Sequence, residues 1–342
     1  MINSIPYISP SMFYYWNKCP LKAVFNYEYK NTQFFPKHPD ADLGNIIHRF
    51  YENKNKWNIK NRSQFNTKWN EQIADINYEY ANNPLQSVYF PIQWHSSYYA
   101  VKKQLLLKQL LKHSNRTQQV SLKIKREKWI EDENKIIAGK IDMLIYDNSG
   151  NIVEIVDYKT GNIYEKQNGK LIIKNAYKTQ LALYAKAVIN TQGTKPILSL
   201  INLSGKKVII DYSDNYIEQV YLQAKVLKDK INTALFNGNF TKLANPNAEN
   251  CHMCKYRSVC NAYKNKFINV VIKNNIDLKG KVKKINVKIF EIETNNGELY
   301  RIINTRGLNV SNNKMAIVYN LYFPEKENKL LYTQKNTIIN YE

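Results

Sequence analysis

The strongest hydrophobic pattern in the chain is a pair of apolar, β-branched runs within residues 139–161, GKIDMLIYDNSGNIVEIVDYKTG. The runs flank the turn sequence DNSG, and this arrangement predicts a β-hairpin. Asp142, Asp157 and Lys159 lie inside the apolar runs. Because aspartate and lysine are depleted in strands, three of them in one apolar hairpin indicate a chemical role rather than packing.

The hydrophobic periodicity elsewhere predicts mostly helices, with strands around the hairpin. The predicted helices lie at residues 1–30, 39–54, 176–190 and 215–236. Further predicted strands lie at 118–130 and 195–203, and a looser hairpin over 162–173 turns at Asn168 and Gly169. The chain therefore has the element mixture of an α/β fold with a mixed central sheet flanked by helices.

Two segments differ from this α/β pattern. Residues 55–116 are polar and aromatic and end in a basic helical run, QLLLKQLLKH, which predicts a helical insertion. Its basic face is either a solvated surface or a strand-binding surface.

From about residue 269 alternating strands dominate, joined at the turn NNG, and predict a small, barrel-like β domain. That domain could bind single strands by stacking or serve as a docking module.

The hairpin register follows from its turn. If Tyr146 pairs with Asn151, Asp142 lies opposite Ile155, and Asp157 becomes its diagonal neighbour on the same face. Diagonal neighbours are ~7–8 Å apart between backbones. Carboxylates on the two sides of that gap can therefore reach one ion between them.

Two carboxylates at this separation repel each other unless a cation lies between them. Mg²⁺ and Mn²⁺ are hard ions that take oxygen ligands, and they activate water and polarise phosphate oxygens. Lys159 shares the face of Asp157 and could stabilise charge that develops on phosphorus. These groups suit phosphodiester hydrolysis. The alternative is a surface hairpin in which Lys159 forms a salt bridge with an acid.

The net charge and the missing motifs restrict the classes of protein to which the chain can belong. The 342 residues carry 50 Lys and Arg against 28 Asp and Glu, a net charge of +22 that favours a polyanionic partner. A genome rich in A and T accounts for some of the Lys, although it would supply Glu as well. No GxxxxGK[ST] loop, run of eighteen apolar residues or secretory signal is present. We therefore expect a cytoplasmic protein, in a bacterium or a phage-infected host cell, without a helicase motor of its own.

The four cysteines of the chain are not expected to form disulfides. Disulfides are rare in the cytoplasm, so metal binding or simple burial better explains Cys19, Cys251, Cys254 and Cys260. Four thiolates suit Zn²⁺ or an iron–sulfur cluster, and His252 could replace one of them at zinc. The spacing alone does not separate the two metals.

The hairpin motifs GKID and DYKTG resemble the active-site hairpin of PD-(D/E)XK nucleases, in particular the RecB-like branch. Two further motifs match that branch in chain order. Gly44-x-x-x-His48 precedes the strands, and Gln180-x-x-x-Tyr184 follows them at a spacing that puts both side chains on one helix face. The resemblance spans roughly residues 5–265 and implies a PD-(D/E)XK nuclease core. The helical insertion at 55–116 and the small C-terminal β domain lie outside the resemblance and are predicted from the sequence pattern alone.

The resemblance also implies residue roles. It implies that Mg²⁺ or Mn²⁺ is bound by His48, Asp142, Asp157 and the backbone carbonyl of Tyr158. It implies that the catalytic residues are Asp142, Asp157, Lys159, Gln180 and Tyr184. Some relatives carry an acid in the first strand, near residues 120–124, where this chain reads SLKIKRE. Glu127 is the available substitute, and the presence of a second metal stays open.

The segment ISPSMFYYWNKCPLKAVFNYEY and the motif C-x-x-C-x5-C resemble the iron–sulfur members of this branch. These are AddB, the CRISPR-adaptation nucleases and the nuclease–helicase of Okazaki-fragment processing, in which one N-terminal and three C-terminal cysteines hold a [4Fe–4S] cluster. The resemblance implies such a cluster on Cys19, Cys251, Cys254 and Cys260, with Zn²⁺ as the alternative. From the resemblance together with the change of pattern near residue 269, we expect a nuclease domain at 1–267 and a β domain at 268–342.

The expected function is a metal-dependent deoxyribonuclease. We expect an exonuclease on single-stranded DNA or DNA ends, in repair, recombination, phage replication or CRISPR adaptation, with a separate helicase or recombination protein as a partner. The alternatives are an inactive nuclease-fold subunit that binds DNA in a helicase complex and a restriction-type endonuclease. The intact set of His48, Asp142, Asp157 and Lys159 argues against the inactive subunit.

Overall fold

The computed structural model describes residues 2–112, 123–324 and 329–342. The helices, in chain order, are α1 (Pro10–Lys18), α2 (Leu21–Glu28), α3 (Pro39–Glu52), α4 (Lys54–Trp57), α5 (Arg62–Ala81), α6 (Ile92–His95), α7 (Tyr99–Lys112), α8 (Asn175–Gln192), α9 (Asp214–Phe236), α10 (Ala248–Cys251) and α11 (Asn261–Phe267). The strands are β1 (Lys123–Glu131), β2 (Ala138–Tyr146), β3 (Ile152–Lys159), β4 (Tyr164–Gln167), β5 (Lys170–Ile173), β6 (Ile197–Asn202), β7 (Lys207–Ile209), β8 (Asn275–Lys284), β9 (Ile289–Glu293), β10 (Leu299–Ile303), β11 (Met315–Tyr322) and β12 (Leu330–Tyr341).

The chain forms two compact units. The first unit comprises Met1–Glu28, His38–Asn82 and Phe90–Leu243. The second unit comprises Tyr29–Lys37, Asn83–Tyr89 and Ala244–Glu342. This division by compactness begins the last segment earlier than residue 268. The predicted domain boundary at 267 and 268 stays a prediction.

The first unit is built on a mixed five-stranded sheet with the order β1-β2-β3-β6-β7. Strands β1, β2 and β3 form an antiparallel meander, and β6 then joins β3 in parallel after the crossover through α8. Helix α8 packs on β3 and against α1 and α9, while α3 contacts β1. The predicted α/β class, a mixed central sheet flanked by helices, is therefore confirmed.

Most predicted elements of this unit are present. The predicted helices at 39–54, 176–190 and 215–236 correspond to α3, α8 and α9, and the predicted insertion contains α4 to α7. The looser hairpin exists as β4 and β5, with Asn168 and Gly169 at positive φ in its turn. The first part of the strand predicted at 118–130 lies outside the described residues.

The helix predicted over residues 1–30 is wrong as a single element. Helix α1 ends at Lys18, Cys19 is extended with φ −149° and ψ 92°, and α2 begins at Leu21. Pro20 causes the break, because a residue that precedes proline is driven out of the α region by contact with the proline ring. Two short helices result, and Cys19 lies at the joint between them.

The predicted register of the hairpin β2–β3 is also wrong. Leu144, not Asp142, lies opposite Ile155, and Tyr146 pairs with Ile152 rather than Asn151. The pairing shifts between Ile145 and Tyr146. The shift arises from one extra residue on β3, as in a β-bulge.

The corrected register keeps the two aspartates on one face. One step beyond the pair Met143 and Val156, Asp142 lies opposite Asp157 rather than diagonal to it. The difference from the predicted register is two residues. Because side chains alternate with a period of two, an even shift leaves Asp142 and Asp157 on their predicted face.

The second unit contains a closed barrel with the strand order β10-β12-β11-β8-β9. Its neighbouring strands are antiparallel except for β10 and β12, which run parallel. The predicted turn of Asn295, Asn296 and Gly297 joins β9 to β10. The interior contains apolar side chains, including Leu278, Phe290, Ile302, Val318 and Leu331. The barrel-like β domain of the sequence prediction is therefore present.

A second apolar cluster explains why this unit begins before the barrel. Tyr263 and Phe267 of α11 pack with Ile317 and Tyr319 of β11, and Phe35 joins the same cluster. These contacts hold the segment that contains α10 and α11 to the barrel. Across both units, no helix in the described ranges has the length and apolar character needed to span a membrane.

Candidate active site

Three acids from adjacent strands lie side by side in the first unit. The register of β1 and β2 places Glu127 opposite Asp142, and the register of β2 and β3 places Asp142 opposite Asp157. Directly opposed residues of antiparallel strands share a face. Glu127 has a φ of 50°, in the left-handed region that non-glycine residues seldom occupy. The sheet therefore presents a row of three carboxylates.

Helix α3 places an imidazole nitrogen beside this row. His48 Nδ1 lies 3.6 Å from Asp142 Oδ2. Candidate ligand atoms of His48, Glu127 and Asp142 all lie within 4.8 Å of one another. Burial lowers the pKa of His48, although Asp157 and Glu127 oppose that shift. The imidazole is therefore favoured in its neutral form, which can donate a lone pair to a metal.

Gly44 explains why α3 can approach so closely. A Cβ at this position would lie 3.1 Å from Thr160 Oγ1, just beyond the end of β3. A glycine therefore lets the helix lie against the strand end, and His48 follows about one turn later on the same face. This contact gives the Gly-x-x-x-His spacing a structural reason.

Asp142 is held in place by the neighbouring strand. The backbone N–H of Tyr158 donates a hydrogen bond of 2.7 Å to Asp142 Oδ2. Burial and then the charge of Asp157 raise the pKa of Asp142 well above its usual range, against the lowering effect of that N–H. A cation between the acids would remove this repulsion.

Asp157, Lys159 and Gln180 form a buried polar cluster. Lys159 Nζ lies 2.7 Å from Asp157 Oδ2 and donates to Gln180 Oε1 at 3.1 Å. Gln180 Nε2 in turn donates to Asp157 Oδ1 at 2.8 Å. Burial tends to lower the pKa of Lys159, but the charge and hydrogen bond of Asp157 raise it overall. Lys159 therefore remains an ammonium group beside the carboxylates.

Tyr184 lies against the backbone of β2. Its hydroxyl donates to the carbonyl oxygen of Lys140 at 2.9 Å. A Cβ at Gly139 would lie 2.9 Å from Tyr184 Oη and 3.1 Å from Pro10 Cδ, so the glycine of GKID gives room to both. Burial raises the pKa of Tyr184, which keeps the hydroxyl protonated. Its predicted catalytic role stays a prediction.

Glu127 is the acid that the sequence suggested only as a substitute. Its carboxylate lies 2.8 Å from Lys140 Nζ, and Glu52 lies 3.5 Å from the same ammonium group. The hydrogen bond to Glu127 raises the pKa of Lys140 despite partial burial. The strand pairing, rather than the motif spacing, identifies Glu127 as a neighbour of Asp142.

The donor set fits a divalent metal ion. Carboxylate oxygens suit Mg²⁺ and Mn²⁺, and an imidazole nitrogen is accepted more readily by Mn²⁺. Burial and then the charge of Asp157 raise the pKa of Asp142, and a cation bound beside it would favour its ionised form. His48, Glu127 and Asp142 are the candidate ligands of such an ion, and Asp157 adjoins them. The predicted ligand carbonyl of Tyr158 stays a prediction.

The predicted cluster cysteines fall in both compact units. Cys19 lies in the first unit and is buried after α1. The other three lie in the second unit, where the N–H of Cys254 donates to the carbonyl of Cys251 at 3.0 Å and Cys260 precedes α11. Their thiol chemistry fits zinc and an iron–sulfur cluster equally well.

A family model for the PD-(D/E)XK nuclease superfamily matches residues 7–261, which include the three acids, His48 and the Lys159 cluster. The chain belongs to this superfamily, and its fold is that of a PD-(D/E)XK nuclease. The chain is also similar to a solved structure from Eubacterium rectale, a provisionally named exonuclease. The identity is 14% over 77% of this chain and 89% of that chain, with a TM-score of 0.43. A comparison with curated proteins gives no match.

Proposed function

We propose that this nuclease is a Mg²⁺- or Mn²⁺-dependent deoxyribonuclease that acts as an exonuclease on single-stranded DNA or DNA ends. The observation that carries the proposal is the grouping of His48, Glu127 and Asp142 within 4.8 Å, beside the buried pair of Asp157 and Lys159. An inactive, DNA-binding subunit would not need this complete set. The net charge of +22 favours a polyanionic substrate.

The candidate residues have different roles in phosphodiester hydrolysis. When bound, the metal acidifies a water molecule and polarises a phosphate oxygen. His48, Glu127, Asp142 and Asp157 would hold it, with the carbonyl of Tyr158 as a further predicted ligand. Hydrolysis joins the water oxygen to phosphorus, breaks one phosphorus–oxygen bond and leaves the departing oxygen protonated.

Lys159 is the cation for the reacting phosphate. Asp157 and Gln180 hold its ammonium group from two sides, and its raised pKa keeps it charged at neutral pH. A fixed positive charge stabilises the negative charge that develops on the phosphoryl oxygens. In this proposal Gln180 positions Asp157 and Lys159, and Tyr184 supports the strand that carries Asp142.

We also propose that the protein belongs to the iron–sulfur group of the RecB-like branch, with a [4Fe–4S] cluster on Cys19, Cys251, Cys254 and Cys260. The chain order of the cysteines and the Cys-Pro step after the aromatic helix support it. Anaerobic protein with iron, sulfide and visible absorbance supports the cluster, whereas a colourless protein with stoichiometric zinc contradicts it.

The biological setting proposed is the cytoplasm of a bacterium or a phage-infected cell. There the enzyme would process DNA ends in repair, recombination, phage replication or CRISPR adaptation. A separate helicase or recombination protein would open the duplex, because the chain has no phosphate-binding GxxxxGK[ST] loop.

The test of the nuclease activity uses anaerobically purified protein with Mn²⁺ or Mg²⁺. Substrates are end-labelled single-stranded and double-stranded DNA together with circular DNA, which separates exonuclease from endonuclease cleavage. The variants Asp157→Ala and Lys159→Ala are compared with Asp214→Ala and Lys195→Ala, which change an exposed ion pair of the same two residue types. Cleavage should be lost only in the first two. No cleavage by the wild type, or cleavage that survives both changes, contradicts the proposal.

A further inference from the structure

A group of aromatic side chains lies next to Lys159. Tyr14 and Tyr15 lie on α1, and Tyr177 lies on α8, one turn before Gln180. The two helices pack against each other. The Lys159 ammonium lies 4.4 Å from the centroid of the Tyr177 ring, and the rings of Tyr14 and Tyr15 meet edge to face at 5.5 Å. We call Tyr14, Tyr15 and Tyr177 the tyrosine strip.

Packing of α1 does not require Tyr15. The helix buries Pro10, Phe13 and Trp16, whereas the Tyr15 side chain is 47% exposed. A large ring left in solvent is unremarkable when isolated. Tyr15 is not isolated, because its ring meets that of Tyr14 and its helix packs against α8, which carries Tyr177.

The electrostatics of Tyr177 link the strip to the site. Burial raises the pKa of Tyr177, and the nearby hydroxyl of Tyr15 raises it further, while Lys159 lowers it. The Tyr177 ring thus lies against Lys159, and α1, which carries Tyr15, packs against the helix of Tyr177. Further ammonium groups accompany the rings, with Lys18 Nζ 4.8 Å from the Tyr14 centroid and Lys174 Nζ 5.7 Å from the Tyr177 centroid.

Alternating rings and ammonium groups are suited to a single nucleic-acid strand. Every base has two faces that can stack on an aromatic ring, and ammonium groups bind the phosphates between bases. In a duplex the faces of all but the terminal bases are covered by neighbouring base pairs. A stacking surface beside a phosphate-binding lysine therefore distinguishes an unpaired strand from a paired one.

We propose that Tyr15 and Tyr177 stack against unpaired bases that adjoin the phosphate at Lys159, so that the site selects single-stranded nucleic acid. This inference rests on the proposed function, because it assumes that the phosphate to be cleaved lies at Lys159. It adds a substrate-selecting role for two residues outside the motifs of the hairpin. Neither tyrosine takes part in bond breaking.

Binding is measured apart from cleavage, in EDTA, by fluorescence anisotropy of a labelled oligothymidylate, the same oligonucleotide with abasic sites, and a duplex. The variants are Tyr15→Ala, Tyr177→Ala and the ring-conserving Tyr15→Phe. Phe236→Ala is the matched control, because Phe236 is an aromatic residue on α9 that is 90% exposed. Tyr15→Ala should weaken single-strand binding about tenfold, as is typical for one stacked base, and Tyr15→Phe should bind like the wild type.

The abasic oligonucleotide makes the test specific to stacking. Tyr15→Ala and the wild type should bind it equally, and duplex binding should not change. The proposal is overturned if the abasic and normal strands lose affinity equally, if Phe236→Ala weakens binding as much, or if the wild type does not bind single strands. Failure of the nuclease proposal is a separate result, namely no cleavage by the wild type with Mn²⁺. The binding measurements can be interpreted in either case, because they are made without cleavage.

Discussion

Gly44 lies so close to Thr160 that a methyl group on the glycine would be 3.1 Å from the threonine hydroxyl oxygen. This contact joins α3 to the end of β3, the two elements that carry His48 and Asp157. The distance between nitrogen and carboxylate donors in the site therefore depends on a residue that binds nothing itself.

Gly44→Ala should weaken Mn²⁺ binding while leaving the protein folded. The added methyl would lie 3.1 Å from Thr160 Oγ1, which is tighter than ordinary contact, and we expect α3 to shift slightly and carry His48 with it. Alanine in a helix is otherwise favoured over glycine by about 0.5–1 kcal/mol. The double variant Gly44→Ala/Thr160→Ala should recover Mn²⁺ affinity, with a coupling energy of about 1 kcal/mol. Isothermal titration of Mn²⁺ measures both. Additive effects of the two changes would contradict this explanation.

Asp142→Asn should stabilise the metal-free protein and abolish cleavage. The pKa of Asp142 is raised in the fold by burial and by Asp157, so the native state holds more protons than the unfolded state between the ordinary pKa and the raised one. Stability conferred by this residue is therefore present at low pH and is lost as pH rises through the raised pKa. Thermal melting in EDTA should show no advantage for the variant near pH 4 and a growing one at higher pH.

If Asp142→Asn instead melted at a lower temperature than the wild type as pH rises, the Asp142 carboxylate would be stabilising without metal. Cleavage in saturating Mn²⁺ should fall at least about a hundredfold in Asp142→Asn, given the several kcal/mol that metal ions contribute to transition states. Stability and activity would thus change in opposite directions, as expected for a site whose acids are held together for function rather than for folding.

Glu127→Gln should weaken Mn²⁺ binding at least about tenfold, or about 1.4 kcal/mol. The glutamate lies within ligand distance of His48 and Asp142 and brings one of the negative charges of the site. Glu131→Gln is the control, because Glu131 ends the same strand and is exposed. Equal Mn²⁺ affinities of the wild type and Glu127→Gln would remove Glu127 from the ligand set.

Gln180→Met should lower kcat with little change in KM for DNA. Gln180 binds nothing of the substrate in our proposal, but it fixes Asp157 and Lys159 through hydrogen bonds of 2.8 and 3.1 Å. Loss of such an orienting partner typically costs about 10–100-fold in activity. Steady-state kinetics separate kcat from KM, and melting curves report folding. A change confined to KM, or a loss explained by unfolding, would contradict a positioning role.

The motif spacings predicted much of the site, because strand and helix periods are fixed by the backbone. Gly44 and His48 lie one turn apart on α3, and Gln180 reaches Asp157 and Lys159 from α8. Their chemical roles stay predictions. The side-chain periods of helices and strands determine which side chains share a face. This information was sufficient to predict that these groups lie together.

The hairpin register could not be predicted from the turn. The irregular pairing after Ile145 inserts Val153, a residue with ordinary strand propensity, so nothing in the sequence indicates the bulge. The face of Asp142 was nevertheless predicted correctly, because the error is an even number of residues. The backbone of Glu127, at a φ of 50°, is likewise set by its tertiary surroundings rather than by residue type. The break at Pro20, in contrast, was readable from the sequence.

The second unit is assembled from three stretches of chain, and this has a consequence during protein synthesis. The ring of Phe35 packs against Tyr319 at 5.4 Å, yet almost the whole first unit is translated between the two. Until β11 is synthesised, Phe35 lacks its contact with Tyr319. We therefore expect its apolar side chain to be exposed on the ribosome while the first unit is made. Such long-range closure is slow, and it leaves apolar surface open to aggregation in the meantime. We therefore expect nascent chains stalled before β11 to be held by chaperones, even when the nuclease site is already complete.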